Sequence, residues 1–162
     1  MSRPPVLVTG VGPGTGTAIA RRFSTGGHDV AMLARNAERL AALETEIMHA
    51  KGYAYDVTDE AQLETTLAAV QRDFVRPSVL VHNAVGGAWG NFLEIDPKVL
   101  NANFQLNTMA LLYLACRLAL QSAWLKAPSK GFGEGAATLL QVNRLRSFMK
   151  TCEAGRRRAP RW

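Results

Sequence analysis

The sequence predicts an α/β fold in which helices cover both faces of a parallel sheet. Three observations carry that expectation. Short apolar runs with β-branched residues alternate with longer amphipathic runs along most of the chain. Each strand-like run is followed by a helix-like one, and helical crossovers join parallel strands. The first strand-like run leads into four glycines, Gly10, Gly12, Gly14 and Gly16, which open the first helix.

The elements follow in order. Val6–Thr9 reads as a buried strand ended by Gly10. Residues 15–25 carry Ala18, Ile19 and Phe23 near helical spacing, and Gly26-Gly27 stops the helix. Val30–Ala34 is a second buried strand. Asn36 then stands where an N-cap belongs, before the apolar stripe Leu40, Leu43 and Ile47. Tyr53–Val57 is expected as a third strand. Thr58 or Asp59 caps a helix with Leu63, Leu67, Val70 and Phe74 on one face. Ser78–Val81 is a fourth strand, followed by a glycine-rich loop from Gly86 to Gly90.

Asp96-Pro97 supplies an N-cap and an N1 proline. From there a fourth, long helix is expected to reach about Trp124. Between Met109 and Leu120 it is apolar on nearly every side, which predicts burial or an interface. Residues 128–135 read as a loop and Ala136–Gln141 as a fifth strand. The expected domain is residues 1–141, with a separate segment, 142–162, behind it.

Composition narrows the class. Hydrophobic content of 48% and charged content of 20% are ordinary for a globular protein. No stretch approaches the ~18 apolar residues of a membrane span, and the N-terminus has no apolar leader. Cys116 and Cys152 make no disulfide framework. The expectation is a reduced, cytoplasmic protein with no metal site and no membrane partner. The net charge of +6 lies in the last nineteen residues, because residues 1–143 carry 12 basic and 12 acidic side chains. The RRRAPR stretch there has no aromatic interleaving, so it is read as a solvated tail rather than a nucleic-acid site.

A glycine-rich turn between a strand and a helix is a phosphate cradle. Glycines let the backbone approach closely, and the helix N-terminus presents free N–H groups. A tight turn without a ligand is the plainer alternative, and its place in the first βα unit favours the cradle.

TGVGPGTG resembles the TGxxxGxG pattern of the short-chain dehydrogenase/reductase family, with Gly10, Gly14 and Gly16 as the matching glycines and Thr15 between the last two. Further similarity follows in family order. Asp56-Val57 resembles the Asp-Val near the adenine ring. HNAVGG, residues 82–87, resembles the Asn-Ala-Gly motif, with Asn83 and Ala84 matching and Val85 standing where Gly is usual. There the loop is expected to shift slightly, with Asn83 still bracing the sheet. NFQLNTMALLYLA resembles the segment with the catalytic asparagine, at Asn107.

The resemblance covers residues 5 to about 140. It implies a Rossmann-like doubly wound sheet, incomplete at about five strands. It also implies hydride transfer between a nicotinamide cofactor and a small carbonyl or alcohol substrate. Self-association would run through the long fourth helix.

The second strand ends in VAMLARN, with no acid to bind a ribose 2′-OH and with Arg35 to meet a 2′-phosphate. NADP(H) is therefore favoured over NAD(H), the alternative being that Arg35 is an ordinary surface charge.

The family's general acid is the Tyr of a Tyr-x-x-x-Lys pair, helped by a Ser. Here Tyr53, Tyr55 and Tyr113 are followed four residues later by Val57, Asp59 and Arg117. Ser147 has no matching motif around it. The expectation is an inactive chain, with a frameshift or early alternative end after about Leu140. The competing readings are a natural short protein with a helical basic tail, a non-catalytic dinucleotide-binding module, and a partner of a full-length relative.

Overall fold

The structure is a computed structural model that describes residues 3–74, 76–88, 90–91, 93–121 and 138–141. The expected loop 128–135 and the basic tail 142–162 lie outside the described residues, as do the helix's extension to Trp124 and the start of the fifth strand at Ala136.

The strands are β1 (Pro5–Thr9), β2 (Asp29–Ala34), β3 (Ala50–Ala54), β4 (Val79–His82) and β5 (Thr138–Gln141). They form one parallel sheet in the order β3-β2-β1-β4-β5. The helices are α1 (Thr15–Thr25), α2 (Ala37–Glu46), α3 (Glu60–Asp73), α4 (Pro97–Phe104) and α5 (Ala110–Gln121). A π-helical turn, Gln105–Met109, joins α4 to α5, so the expected long fourth helix is one helix with a bulge in it.

Alternation along each strand splits the core in two. Val6, Val8, Val30, Met32 and Val81 face α1 and α2, where they meet Ala20, Leu40, Leu43 and Ile47. Leu7, Ala31, Leu33 and Leu80 face the other way, onto Leu63, Leu67 and Val70 of α3 and Ala110, Leu114 and Leu118 of α5. The sheet is thus doubly wound. Strand order runs outward one way through β1, β2 and β3 and the other way through β4 and β5. The crossovers therefore part between β1 and β4, and a crevice opens at the strand ends there.

Three helices begin with a side-chain cap. Asn36 Oδ1 accepts from Arg39 N at 2.8 Å, Asp59 from Ala61 N and Gln62 N, and Asp96 from Lys98 N. The α1 N-cap is Gly14, which has no side chain to offer.

Two expectations change. The third strand is Ala50–Ala54, not Tyr53–Val57. Its ladder on β2 opens with Val30 pairing Ala50, and Tyr55 N makes the last bond, to Ala34 O. Tyr55 and Val57 are buried in the core as the chain leaves the sheet, so their apolar alternation reports burial rather than pairing. On the long helix only one face is buried. Ala110, Leu114 and Leu118 line it at helical spacing, while Leu112 is 50% exposed and Cys116 is exposed. Arg117 with Glu64 and Tyr113 with Glu60 tie α5 to α3 across its rim.

Candidate functional site

An open cleft of about 910 Å³ runs along the carboxyl ends of β1, β2 and β4. Its floor is the glycine loop. Gly10 has φ +70°, and its N–H reaches Leu33 O at 2.8 Å, which bends the chain over β2. Thr17 closes the turn by donating from its hydroxyl to Gly12 O.

The four glycines divide by what a side chain would meet. A Cβ at Gly16 would lie 2.3 Å from Gly10 O, and one at Gly10 would lie 2.4 Å from Ala84 N. Those two are required by the protein's own backbone. A Cβ at Gly12 or Gly14 would meet nothing within 4 Å. Their bareness keeps the cleft open above the start of α1. No acidic residue stands in the first turn of α1 and no side chain caps it. The Thr17 N–H is taken by Gly12 O at 3.2 Å, so the N–H groups of Thr15 and Gly16 and the helix dipole are what the start of α1 offers an anion in the cleft.

One end of the cleft is built on β2 and the chain after β3. Arg35, Asn36 and Arg39 come from the β2–α2 junction, and Tyr55, Asp56, Val57 and Thr58 from the chain after β3. Asp56 Oδ1 accepts from Thr58 N at 3.0 Å and from its hydroxyl at 2.7 Å. Those bonds, aided by Arg35, hold the Asp56 carboxyl below its usual range. Arg35 Nη1 lies 4.0 Å from Asp56 Oδ2 with its side chain 82% exposed, so this long surface pair leaves the guanidinium available. The Tyr55 hydroxyl is pushed up to about 12 by burial and by Asp59, Asp56 and Glu60. It stays protonated at neutral pH, the opposite of what a base requires.

The other end is built on β4 and α4. Asn83 donates from Nδ2 to Gly10 O at 2.8 Å, tying the end of β4 to the glycine loop. Beyond it stand Ala84, Val85, Ala102, Asn103 and Leu106. Gly86 exchanges two bonds with the Asn107 carboxamide, N–H to Oδ1 at 2.9 Å and Nδ2 to carbonyl at 3.0 Å. A Cβ at Gly86 would lie 2.5 Å from Asn103 Oδ1. The close approach that needs a glycine has moved one residue along from Val85, which is exposed on the cleft wall.

His82 joins the same two elements from beneath and is fully buried. Its Nε2 lies 3.1 Å from Leu106 O, and a carbonyl only accepts, so Nε2 carries the proton. Nδ1 then accepts from the Thr9 hydroxyl at 3.0 Å. Burial pushes the His82 pKa below its ordinary value. The unfolded chain therefore takes up a proton first. Stability should be full above about pH 6.5 and fall as pH drops toward the folded-state pKa. Urea midpoints measured between about pH 7.5 and about pH 5.5 check this. His82→Gln keeps a donor toward Leu106 and should flatten the decline; an equal decline in both proteins would remove the role.

Gly10, Gly14, Thr15, Gly16, Arg35, Asp56, Val57, Asn83 and Ala84 thus all line one cleft. Asn107 does not line it; it stands behind Gly86. Arg39, Thr58, His82 and Asn103 are not among the site residues expected from the sequence, where Thr58 stands only as a candidate helix cap. His82 alone left a signal, a polar residue ending an apolar run.

A cleft over a glycine loop, at the strand ends of a parallel sheet whose order reverses, is the dinucleotide-binding arrangement of α/β proteins. Residues 5–132 match the short chain dehydrogenase family, and the chain belongs to that family. It is 45% identical over 80 residues to a serine 3-dehydrogenase of Agrobacterium fabrum, covering 49% of this chain and 32% of that protein. It is 40% identical over 80 residues to an NADP-dependent 3-hydroxy acid dehydrogenase, YdfG, of Salmonella typhi, with the same coverage of 49% and 32%. Among solved structures it resembles the F189W actinorhodin polyketide ketoreductase with NADPH. The TM-score is 0.71 at 26% identity, over 78% of this chain and 51% of that one. The chain spans about a third of the length of these two dehydrogenases.

Proposed function

We propose that this chain is the nucleotide-holding part of a short-chain dehydrogenase/reductase-type oxidoreductase and that it binds NADP(H) in preference to NAD(H). The observation that carries the reading is the uncapped start of α1 beneath Gly12 and Gly14, where no protein atom would meet a side chain. The pyrophosphate sits there. Arg35 takes the 2′-phosphate, and Asp56 and Val57 border the adenine. Thr15 and Gly16 offer backbone donors, and Asn83 and Ala84 border the far side. The NADP-dependent relative and the NADPH-bound neighbour agree with this choice.

When bound, the nicotinamide supplies the hydride for a small carbonyl or alcohol substrate. Proton transfer needs a tuned acid. No tyrosine in the sequence is followed four residues later by Lys, and Tyr55 is held protonated by its surroundings. Asn107, the residue matching the family's catalytic asparagine, has its carboxamide on Gly86. The reading for this chain is therefore binding without turnover, in the cytoplasm. The test is calorimetric titration with NADPH and NADH beside a reductase assay on simple ketones. NADPH binding with no oxidation of NADPH is the expected result. Failure to bind either nucleotide overturns the proposal, and turnover overturns its second half.

Self-association is part of the same proposal. Leu100 and Phe104 on α4 are each 52% exposed, and Leu112 on α5 is 50% exposed. A second copy covering this face would remove apolar area from water. Light scattering across a dilution series should show species larger than the monomer; a clean monomer throughout counts against it.

A further inference from the structure

Among the described residues β3 ends the sheet on one side, so one edge of its backbone has no neighbouring strand. Its ladder to β2 runs through the odd-numbered residues. His49 O accepts from Val30 N at 2.8 Å, and Tyr55 N donates to Ala34 O at 3.0 Å. The N–H and C=O groups of Ala50, Gly52 and Ala54 therefore point outward. Ala50 N reaches back to Ile47 O at 3.3 Å. Gly52 N donates to Glu44 Oε1, from the last turn of α2. Leu40 and Glu44 stand one turn apart on the side of α2 that meets β3. A Cβ on Gly52 would come 2.6 Å from the Leu40 Cβ and 3.0 Å from Glu44 Oε1, so the bare glycine lets the helix and its carboxylate come this close. Ala54 is exposed, and its N–H finds no acceptor among the described residues.

A carboxylate oxygen on an outward N–H does what the carbonyl of an added strand would do. We propose that the outer edge of β3 is a latent pairing surface for β3 of a second copy, and that Glu44 holds it shut by standing where the incoming carbonyl would stand. Register and charge select this occupant. An antiparallel pair centred on Gly52 sets the two glycines opposite each other, and they exchange both backbone bonds. The open Ala54 N–H then meets the Ala50 carbonyl of the second copy, and Lys51 lies opposite Tyr53 of that copy. A pair centred on Lys51 would instead set two ammonium groups face to face. Lys51 and Tyr53 are held on the α3 side of the strand by Asp73, at 2.9 Å and 2.8 Å, clear of the outward groups. This edge is a different surface from the exposed apolar face of α4 and α5, and the proposal does not rest on the nucleotide reading.

The test follows self-association by light scattering across a dilution series, with the wild-type chain as its own baseline. Glu44→Ala should associate at about tenfold lower concentration than the wild type. Glu44→Gln loses the charge but keeps an oxygen that accepts from Gly52 N, and should match the wild type. Glu44→Ala combined with Ala54→Pro should return to the baseline, because the proline removes an outward N–H that the β2 ladder does not use. No added association in Glu44→Ala overturns the proposal. So does an equal gain in Glu44→Gln, which would make the effect one of net charge, or a failure of Ala54→Pro to reverse it. Circular dichroism reports whether each variant folds. Amide hydrogen exchange on the wild-type chain gives a reading that no variant can spoil. Gly52 N–H should exchange at least about tenfold more slowly than Ala54 N–H, and equal rates overturn the proposal.

Discussion

Gly16→Ala is expected to lower the thermal midpoint by roughly 5–10 °C and to abolish nucleotide binding with it. The added methyl would sit 2.3 Å from Gly10 O and 2.7 Å from the Val11 Cα. Both neighbours are backbone, and Gly10 is itself fixed by its bond to Leu33 O and by Ala84 pressed against it. Neither can swing aside as a side chain would. The start of α1 must lift from β1, which opens the core beneath Ala20. Gly14→Ala is the matched control. Its methyl projects into the open cleft and should leave the midpoint within about 2 °C. NADPH affinity should nonetheless fall more than about tenfold, because the methyl occupies the space assigned to the pyrophosphate. Differential scanning calorimetry and titration on both variants separate the two roles. Equal midpoints would mean that the loop does not close on β1 as described. Unchanged NADPH affinity in Gly14→Ala would remove the cradle.

Arg35→Ala should cost about 10- to 100-fold in NADPH affinity and no more than about twofold for NADH. The contrast follows from exposure. The Arg35 side chain is 82% exposed, and its ion partner among the described residues, Asp56, stands 4.0 Å away. Removing it breaks no core contact, and Asp56 keeps both bonds from Thr58. Its effect should therefore appear only with a ligand that carries a charge to meet. Arg35→Lys should recover part of the NADPH affinity, since an ammonium keeps the charge and loses the fork. Equal losses for the two nucleotides would refute the 2′-phosphate role. The loss in NADPH affinity should also shrink at high salt, where exposed charges are screened.

Much of this molecule could be read from residue order alone, and the limits have physical causes. β1, β2 and β4 are buried on both faces, so they appear as unbroken apolar runs. β3 is an edge strand with Lys51 and Gly52 in its middle, and its hydrophobic signal comes from residues that follow the pairing. The caps Asn36, Asp59 and Asp96 were legible because capping is local chemistry. The π turn was not. A wider ladder has no side-chain period of its own, and the contacts tied to it, His82 to Leu106 and Gly86 to Asn107, join residues more than twenty apart in sequence.

In the site the same division holds. The glycine loop announces itself by composition. Which glycines serve the fold and which serve the cleft depends on distances that no spacing encodes. Arg39 and Asn103 look like ordinary helix residues until the sheet fixes which side of their helices meets the cleft.

The π turn also bears on how the chain tolerates change in length. A regular helix that gains or loses one residue turns everything beyond it by about 100°. A π turn is one residue absorbed into the ladder, so the helix on either side keeps its bearing. The stretch from Gln105 to Met109 is therefore a place where the chain can shed a residue and leave Ala110, Leu114 and Leu118 docked on the sheet. What such a deletion removes is the swelling that turns a carbonyl toward His82 and a carboxamide toward Gly86. The surplus residue belongs to the joint between helix and loop, and the helix could do without it.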